Sequence, residues 1–153
     1  IDYDFLAAAD PKTSCHLSVF ANLSLLDSDF TASNRGFVGN TPAFSPDYLA
    51  RVGLAYREDK KFKFALSVVS VGSQYWQDSN LDNALPTQPA YIPAKVPSYT
   101  VADLSADWWL TPDIRLLGGI SNIADKTYYA RVFGGGLEPA IGRTVHVGAA
   151  WEF

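Results

Sequence analysis

The sequence predicts an all-β chain forming a portion of a transmembrane antiparallel β-barrel, and three observations predict it. Long stretches alternate apolar and polar residues with period two, short and long connections alternate between them, and aromatic residues gather at both ends of the stretches. The clearest stretch is Arg143 to Phe153, where Phe153, Trp151, Ala149, Val147 and Val145 fall on one face and Glu152, Ala150, Gly148, His146 and Thr144 on the other. Alternation over about ten residues fits a tilted strand crossing the hydrocarbon, which takes roughly 9–11 residues. Strands of soluble domains are nearer 5–6 residues, so this one is long.

Seven strands are expected. The first runs Ile1 to Ala9, ahead of the connection Asp10-Pro-Lys-Thr-Ser14. The second, His16 to about Leu26, sets Leu17, Val19, Ala21, Leu23 and Leu25 against Ser18, Asn22 and Ser24. The third, Tyr48 to Tyr56, sets Ala50, Val52, Leu54 and Tyr56 against Arg51 and Gly53. In the fourth, Phe62 to Tyr75, Phe64, Leu66 and Val68 oppose Lys63 and Ser67, and the apolar Val69 and Val71 point to a register shift at a bulge. The fifth, Tyr99 to Leu110, opposes Ala102, Leu104, Ala106, Trp108 and Leu110 to Asp103, Ser105 and Asp107. The sixth, Ile114 to Ser121, carries Ile114, Leu116, Gly118 and Ile120 against Arg115, and the seventh is the terminal strand.

The connections alternate in length. Asp10–Ser14, Arg57–Lys61 and Thr111–Asp113 are short; about Asp27–Asp47, Trp76–Ser98 and Asn122–Gly142 are long and without helical period. Long structureless loops are uncommon in compact soluble domains, where the median is about 4–6 residues. Short turns at one end and long loops at the other characterise outer-membrane barrels, with turns periplasmic and loops extracellular. Tyr56, Phe62, Phe64, Trp108, Trp109, Trp151 and Phe153 lie near the turns; Phe30, Tyr48, Tyr75, Trp76, Tyr99, Tyr128 and Tyr129 lie near the loops. Two interfacial girdles account for this placement, since amphipathic rings favour the headgroup level. Asp103, Asp107 and Arg115 on inward faces suit a watered lumen, because in a dry core each would carry a large desolvation cost.

Composition narrows the function. Hydrophobic residues make up 48% of the 153, yet no apolar run reaches the 18 or more of a membrane helix. The net charge of −4 argues against a nucleic-acid partner, which needs clustered Lys and Arg. Cys15 is the one cysteine, so no internal disulfide and no Cys metal cluster can form. The start at Ile1 has no initiator Met, basic region or apolar leader, and it reads as a piece of something longer.

No catalytic constellation is present. His16 and His146 have no partners at ligand spacing, and Gly134-Gly-Gly136 lacks the strand–helix context of a phosphate cradle. The chain is expected not to be an enzyme and to need no cofactor.

Ordered segments across roughly two thirds of the chain carry a family pattern. Gly119-Ile-Ser-Asn-Ile-Ala-Asp-Lys-Thr-Tyr-Tyr129 resembles the G-x-x-N-x-x-D-K-x-Y-Y segment of TonB-dependent outer-membrane receptors, and Gly142-Arg143 with the strand to Phe153 resembles their ending. Pro46-Asp-Tyr-Leu-Ala-Arg-Val-Gly-Leu-Ala-Tyr56 and Val96-Pro-Ser-Tyr-Thr-Val-Ala-Asp-Leu104 are similar to two earlier segments of the family. The departure is Ala124, where the family usually has Phe.

The resemblance implies that residues 1–153 are about seven strands, the C-terminal part, of a 22-stranded barrel. The family's plug domain and TonB-box segment have no match in this chain. The resemblance, nearest to the ferric-siderophore and ferric-citrate types, implies a Gram-negative outer-membrane receptor importing a ferric chelate, energised by TonB through the plug. Its implied partners are the remaining barrel and plug of the same receptor, outer-membrane lipid and the barrel-assembly machinery, whose signal Val147, Trp151 and Phe153 would supply by strand pairing. The chelate is cargo rather than cofactor.

An anionic ferric chelate calls for cations and aromatics at the loop bases. Arg35, Gln74, Tyr75, Trp76, Tyr91, Arg131 and Arg143 are the candidates, with Arg131 and Arg143 preferred at a loop–strand boundary; each can equally be a solvated loop side chain or a girdle aromatic. Asn122, Asp125 and Lys126 are expected to fix a turn instead. The competing architecture is a self-contained eight-stranded outer-membrane barrel with a structural or adhesive role. A soluble ligand-binding barrel or sandwich would have short loops at both ends and an apolar interior.

Overall fold

In the computed structural model, residues 2–81, 92–133 and 136–152 are described, and they form an antiparallel meander. Its strands are β1 (Asp2–Asp4), β2 (Cys15–Leu25), β3 (Tyr48–Glu58), β4 (Phe62–Val71), β7 (Tyr99–Trp109), β8 (Ile114–Ser121) and β11 (Thr144–Trp151), paired in that order. Each strand pairs with its neighbours in sequence among these seven, so every contact follows from a hairpin or a loop return. The sheet does not close, and β1 and β11 are its two edges.

Five small elements interrupt the meander. Helix α1 (Phe5–Ala9) follows β1; β5 (Gln74–Tyr75) pairs with β6 (Lys95–Val96), and β9 (Tyr129–Phe133) pairs with β10 (Gly136–Pro139). The helix corrects the expectation of a strand through Ala9. Asp4 caps it, its Oδ1 accepting from the N–H groups of Leu6 (3.1 Å) and Ala7 (3.0 Å). Leu and Ala then favour the helical state over five residues that have no period-two pattern to oppose it.

Register assigns the faces, because directly paired residues in an antiparallel ladder project to the same side. Val19, Leu54, Leu66, Leu104, Ile120 and Val145 form one continuous row, and Ala21, Val52, Val68 and Ala102 the next. The resulting outer face is apolar. Leu23, Leu25, Val52, Val145, Val147 and Trp151 on it are exposed, Val147 at 86%. The inner face carries His16, Arg57, Lys63 and Asp107 in one row and Arg51, Ser67, Asp103, Ser105 and His146 among the others.

No bulge breaks β4. Its ladders to β3 and β7 run unshifted through Val71, so Val69 and Val71 are genuinely inner-face residues. The loops explain their apolar character: Val71, Ile92 and Val96 are the buried hydrophobic side chains among the described residues, a small core under the loop end. The expected fourth strand instead stops at Gly72, whose missing Cβ would lie 2.9 Å from the Tyr48 backbone N.

Two girdle residues also sit elsewhere than expected. Trp109 and Tyr99 have inner-face register, Trp109 beneath the Arg115 guanidinium (5.3 Å to the ring) and Tyr99 stacked on Tyr128 at 4.3 Å. On the outer face, Tyr56, Phe62, Phe64, Trp108 and Trp151 remain near the turn end. At the loop end, the outer border is a hydroxyl row, with Ser70 Oγ 3.3 Å from Tyr48 Oη and 2.8 Å from Thr100 Oγ1.

Candidate functional site

Three long connections leave the same end of the sheet: L1 (residues 26–47), L2 (72–98) and L3 (122–143). L3 is anchored where the sequence places its strongest motif. Asn122 and Asp125 both adopt positive φ (51° and 52°), a region that Asn and Asp enter at lower cost than other side chains. The buried Asn122 carboxamide donates to the Lys126 carbonyl (2.8 Å) and accepts from the Lys126 N–H (2.9 Å). Asp103 Oδ1 accepts from the Asn122 N–H at 2.8 Å, and Asp125 Oδ1 from the Arg143 N–H at 2.8 Å. These side chains therefore fasten β7, the start of L3 and the entry to β11 together.

The six described candidate ligand residues do not converge on one point. Arg35 of L1 and Trp76 of L2 line a common cleft of about 330 Å³ together with Phe37, Gln77 and Asp78. Trp76 is oriented by a hydrogen bond from its indole N–H to the Pro93 carbonyl (2.8 Å). Gln74 and Tyr75 form β5 beside that cleft, and the Lys95 ammonium lies 4.7 Å over the Tyr75 ring and 3.8 Å from Asp47. Tyr91 lies outside the described residues.

The two preferred arginines have other engagements. Arg131, on β9, pairs with Glu138 across the small hairpin and stands over the Phe133 ring at 5.4 Å. The hydrogen bond from Arg131 holds the Glu138 carboxyl below its ordinary value. Arg143 contributes its backbone N–H to Asp125 and presents an exposed side chain. Of the assembly residues, Val147 and Trp151 lie on the exposed outer face of edge strand β11, and Phe153 lies outside the described residues.

Sequence reasoning did not select Phe37, Gln77, Asp78 or Lys95. Nothing in a single sequence marks Gln77 and Asp78 as neighbours of Arg35, or Lys95 as a neighbour of Tyr75, since both approaches are non-local. Among the described residues, no group of three or more His, Cys, Asp and Glu is placed to hold a metal.

The open apolar meander with its loops at one end has a counterpart among known proteins. A family model described as TonB dependent receptor-like, beta-barrel matches residues 2–123. The chain belongs to the TonB-dependent receptor β-barrel family. Members of this family are transporters, not enzymes.

Solved structures agree on the fold. The unliganded ferric citrate transporter FecA is similar at a TM-score of 0.78 and 19% identity, over 97% of this chain and 22% of that one. FyuA, the ferric yersiniabactin uptake receptor of Yersinia pestis, gives 0.71 and 21% over 90% of this chain and 21% of its own. The siderophore receptor PiuA of Acinetobacter baumannii gives 0.67 and 19% over 90% and 19%. The chain thus spans about a fifth of the length of these receptors. No curated protein matches the sequence.

Proposed function

We propose that the chain is part of the wall and extracellular vestibule of a Gram-negative outer-membrane receptor that imports a ferric chelate. The carrying observation is the uncovered apolar face of the seven-stranded sheet, opposite a charged inner face, in a family of TonB-dependent receptors. Large apolar side chains at this exposure have no stable aqueous partner over so wide a face, whereas lipid acyl chains match them. With that face in lipid, the turn end is periplasmic and the long loops are extracellular.

Supporting the cargo class, the structural neighbours are a ferric citrate transporter, a ferric yersiniabactin uptake receptor and a siderophore receptor. The cleft between Arg35 and Trp76 has chemistry suited to an anionic chelate: a delocalised cation beside apolar and aromatic surface. Gln74 and Tyr75 flank it, while Tyr91 in the L2 segment and Arg131 and Arg143 in L3 are further candidates. Import would be energised by TonB through a plug domain in the same receptor, with the free edges β1 and β11 pairing to the remaining barrel. Val147, Trp151 and Phe153 would present β11 to the barrel-assembly machinery before that pairing.

A self-contained eight-stranded barrel would join its first and last strands, whereas among the described residues β1 and β11 are not paired with each other. The deciding experiment is uptake of ⁵⁵Fe supplied as citrate, catecholate or hydroxamate chelates by cells carrying the complete receptor. We expect TonB-dependent accumulation of at least one chelate, reduced several-fold by the double substitution Arg35→Ala, Trp76→Ala. Accumulation unaffected by removing the receptor, for every chelate, overturns the reading.

A further inference from the structure

L1 and L2 are joined by hydrogen bonds that belong to no strand. The Asn80 carboxamide takes both backbone groups of Thr41: its Oδ1 accepts from the Thr41 N–H at 2.8 Å and its Nδ2 donates to the Thr41 carbonyl at 2.8 Å. Asp78 engages L1 on either side of Thr41. Its Oδ1 accepts from the Ala43 N–H at 3.0 Å, and its carbonyl accepts from the Asn40 side chain at 2.9 Å. A backbone bond from the Phe44 N–H to the Tyr75 carbonyl (2.8 Å) closes the seam. Asn80 holds φ at 55° to make these contacts, a conformation that Asn tolerates better than most residues.

We infer that Asp78 and Asn80 are positioning residues, a clasp that ties residues 40–44 of L1 to residues 75–80 of L2 and holds Arg35 and Trp76 at one preformed cleft. The functional half of this inference rests on reading that cleft as the ligand vestibule; the coupling of the loops does not. Two side chains satisfy backbone groups on a loop more than 30 residues away in sequence, so the geometry of the cleft is set before any ligand arrives. Without the clasp, each loop keeps its own freedom, and ligand must bring the two together at an entropic cost. The clasp acts on affinity by removing that cost, since an open population dilutes the binding-competent one.

The test is a distance measurement in the complete receptor in outer-membrane vesicles, with Cys15 and any other native cysteine replaced. Spin labels are placed at the exposed positions Asn34→Cys in L1 and Leu81→Cys in L2 and read by pulsed dipolar spectroscopy. Asn80→Gly is the informative variant, because glycine keeps the positive φ without strain and removes only the side-chain bonds. We expect a narrow distance distribution with Asn80, a broad one in Asn80→Gly and in Asp78→Ala, and partial narrowing in Asn80→Asp, which keeps the acceptor. Binding of ferric citrate or a ferric catecholate, whichever the parent receptor takes, should weaken about tenfold in Asn80→Gly, the effect of losing roughly two hydrogen bonds. A distribution as narrow in Asn80→Gly as in the parent overturns the clasp. Broadening with affinity unchanged within about twofold overturns the positioning role. Should the parent bind neither of these probes nor a ferric hydroxamate, the vestibule reading fails, and the distances still decide the coupling.

Discussion

Asn122 shows how one residue can serve a whole wall. Its side chain closes a ring with both backbone groups of Lys126, its backbone N–H is held by Asp103, and its backbone is left-handed. Asn122→Ala leaves the part-buried N–H and carbonyl of Lys126 without their side-chain partner and places alanine at positive φ. The expected loss is about 1–3 kcal/mol of barrel stability, read as a lower temperature for the folded-to-unfolded band shift in detergent. Asn122→Asp, which retains the acceptor toward the Lys126 N–H, should recover part of it. Gly53 makes a different demand. A Cβ there would lie 2.3 Å from the Phe20 ring and 2.8 Å from the Leu66 carbonyl oxygen, so the ring covers the glycine on the inner face, with Arg51 over its plane at 5.5 Å. Gly53→Ala is expected to destabilise by about 1–3 kcal/mol, whereas Gly136→Ala meets nothing within 4 Å and should be neutral in the same assay. The turn role of Asn122 was legible in the sequence because Asn bonds nearby backbone locally, whereas Asp125 reaches the distant Arg143 N–H. The placing of Phe20 over Gly53 was not, because it depends on register between two strands.

At the scale of elements, period two was a sufficient guide wherever a strand crosses the full wall. The sixth strand, Ile114–Ser121, has the bounds the alternation predicts, and β2, β3, β7 and β11 shift by a few residues at their ends. The short elements escaped notice: α1 has five residues, β10 has four, and β5 and β6 two each, too few to display a period. The apolar Val69 and Val71 suggested a slipped register, but the cause is a small core beneath L2 rather than a bulge. On the outer face, Leu54→Arg or Leu66→Arg should cost about 2–4 kcal/mol if the site lies near the bilayer midplane, while the inner-face Ser67→Arg should cost far less. Guanidinium-induced unfolding of the refolded receptor distinguishes the two.

The β9–β10 hairpin carries a pH dependence of its own. Arg131 depresses the Glu138 pKa, so the pair's contribution is complete above the ordinary glutamate value and is lost as pH falls through the depressed one. Both groups are exposed, and salt should screen the effect. Hydrogen exchange, corrected for intrinsic rates, should show residues 129–139 losing protection selectively as pH drops below the normal carboxylate range, with Glu138→Gln abolishing that pH dependence.

For the whole molecule, the decisive features are an outer face without a protein cover and two unpaired edges. An open sheet with a long free edge at β11 is unstable in lipid, where unsatisfied backbone groups cost several kcal/mol each, and dangerous in water, where it recruits other strands. Pairing within a larger barrel resolves both. This architecture was legible in the sequence through alternation and loop asymmetry, each repeated several times along the chain. The candidate site was legible only as a set of residue types on the right loops. Arg35 and Trp76 meet because Asp78 and Asn80 bridge L1 and L2, while Arg131 is taken up by Glu138, and no local pattern encodes either event. The central claim is that the wall faces lipid on one side and water on the other. Its most direct test is a spin-label accessibility scan along β3 and β7 of the receptor in liposomes. Labels at Val52, Leu54, Ala102 and Leu104 should collide with oxygen, and labels at Arg51, Asp103 and Ser105 with a water-soluble nickel chelate, alternating residue by residue. Equal nickel access at both sets, or a reversed alternation, would contradict the account.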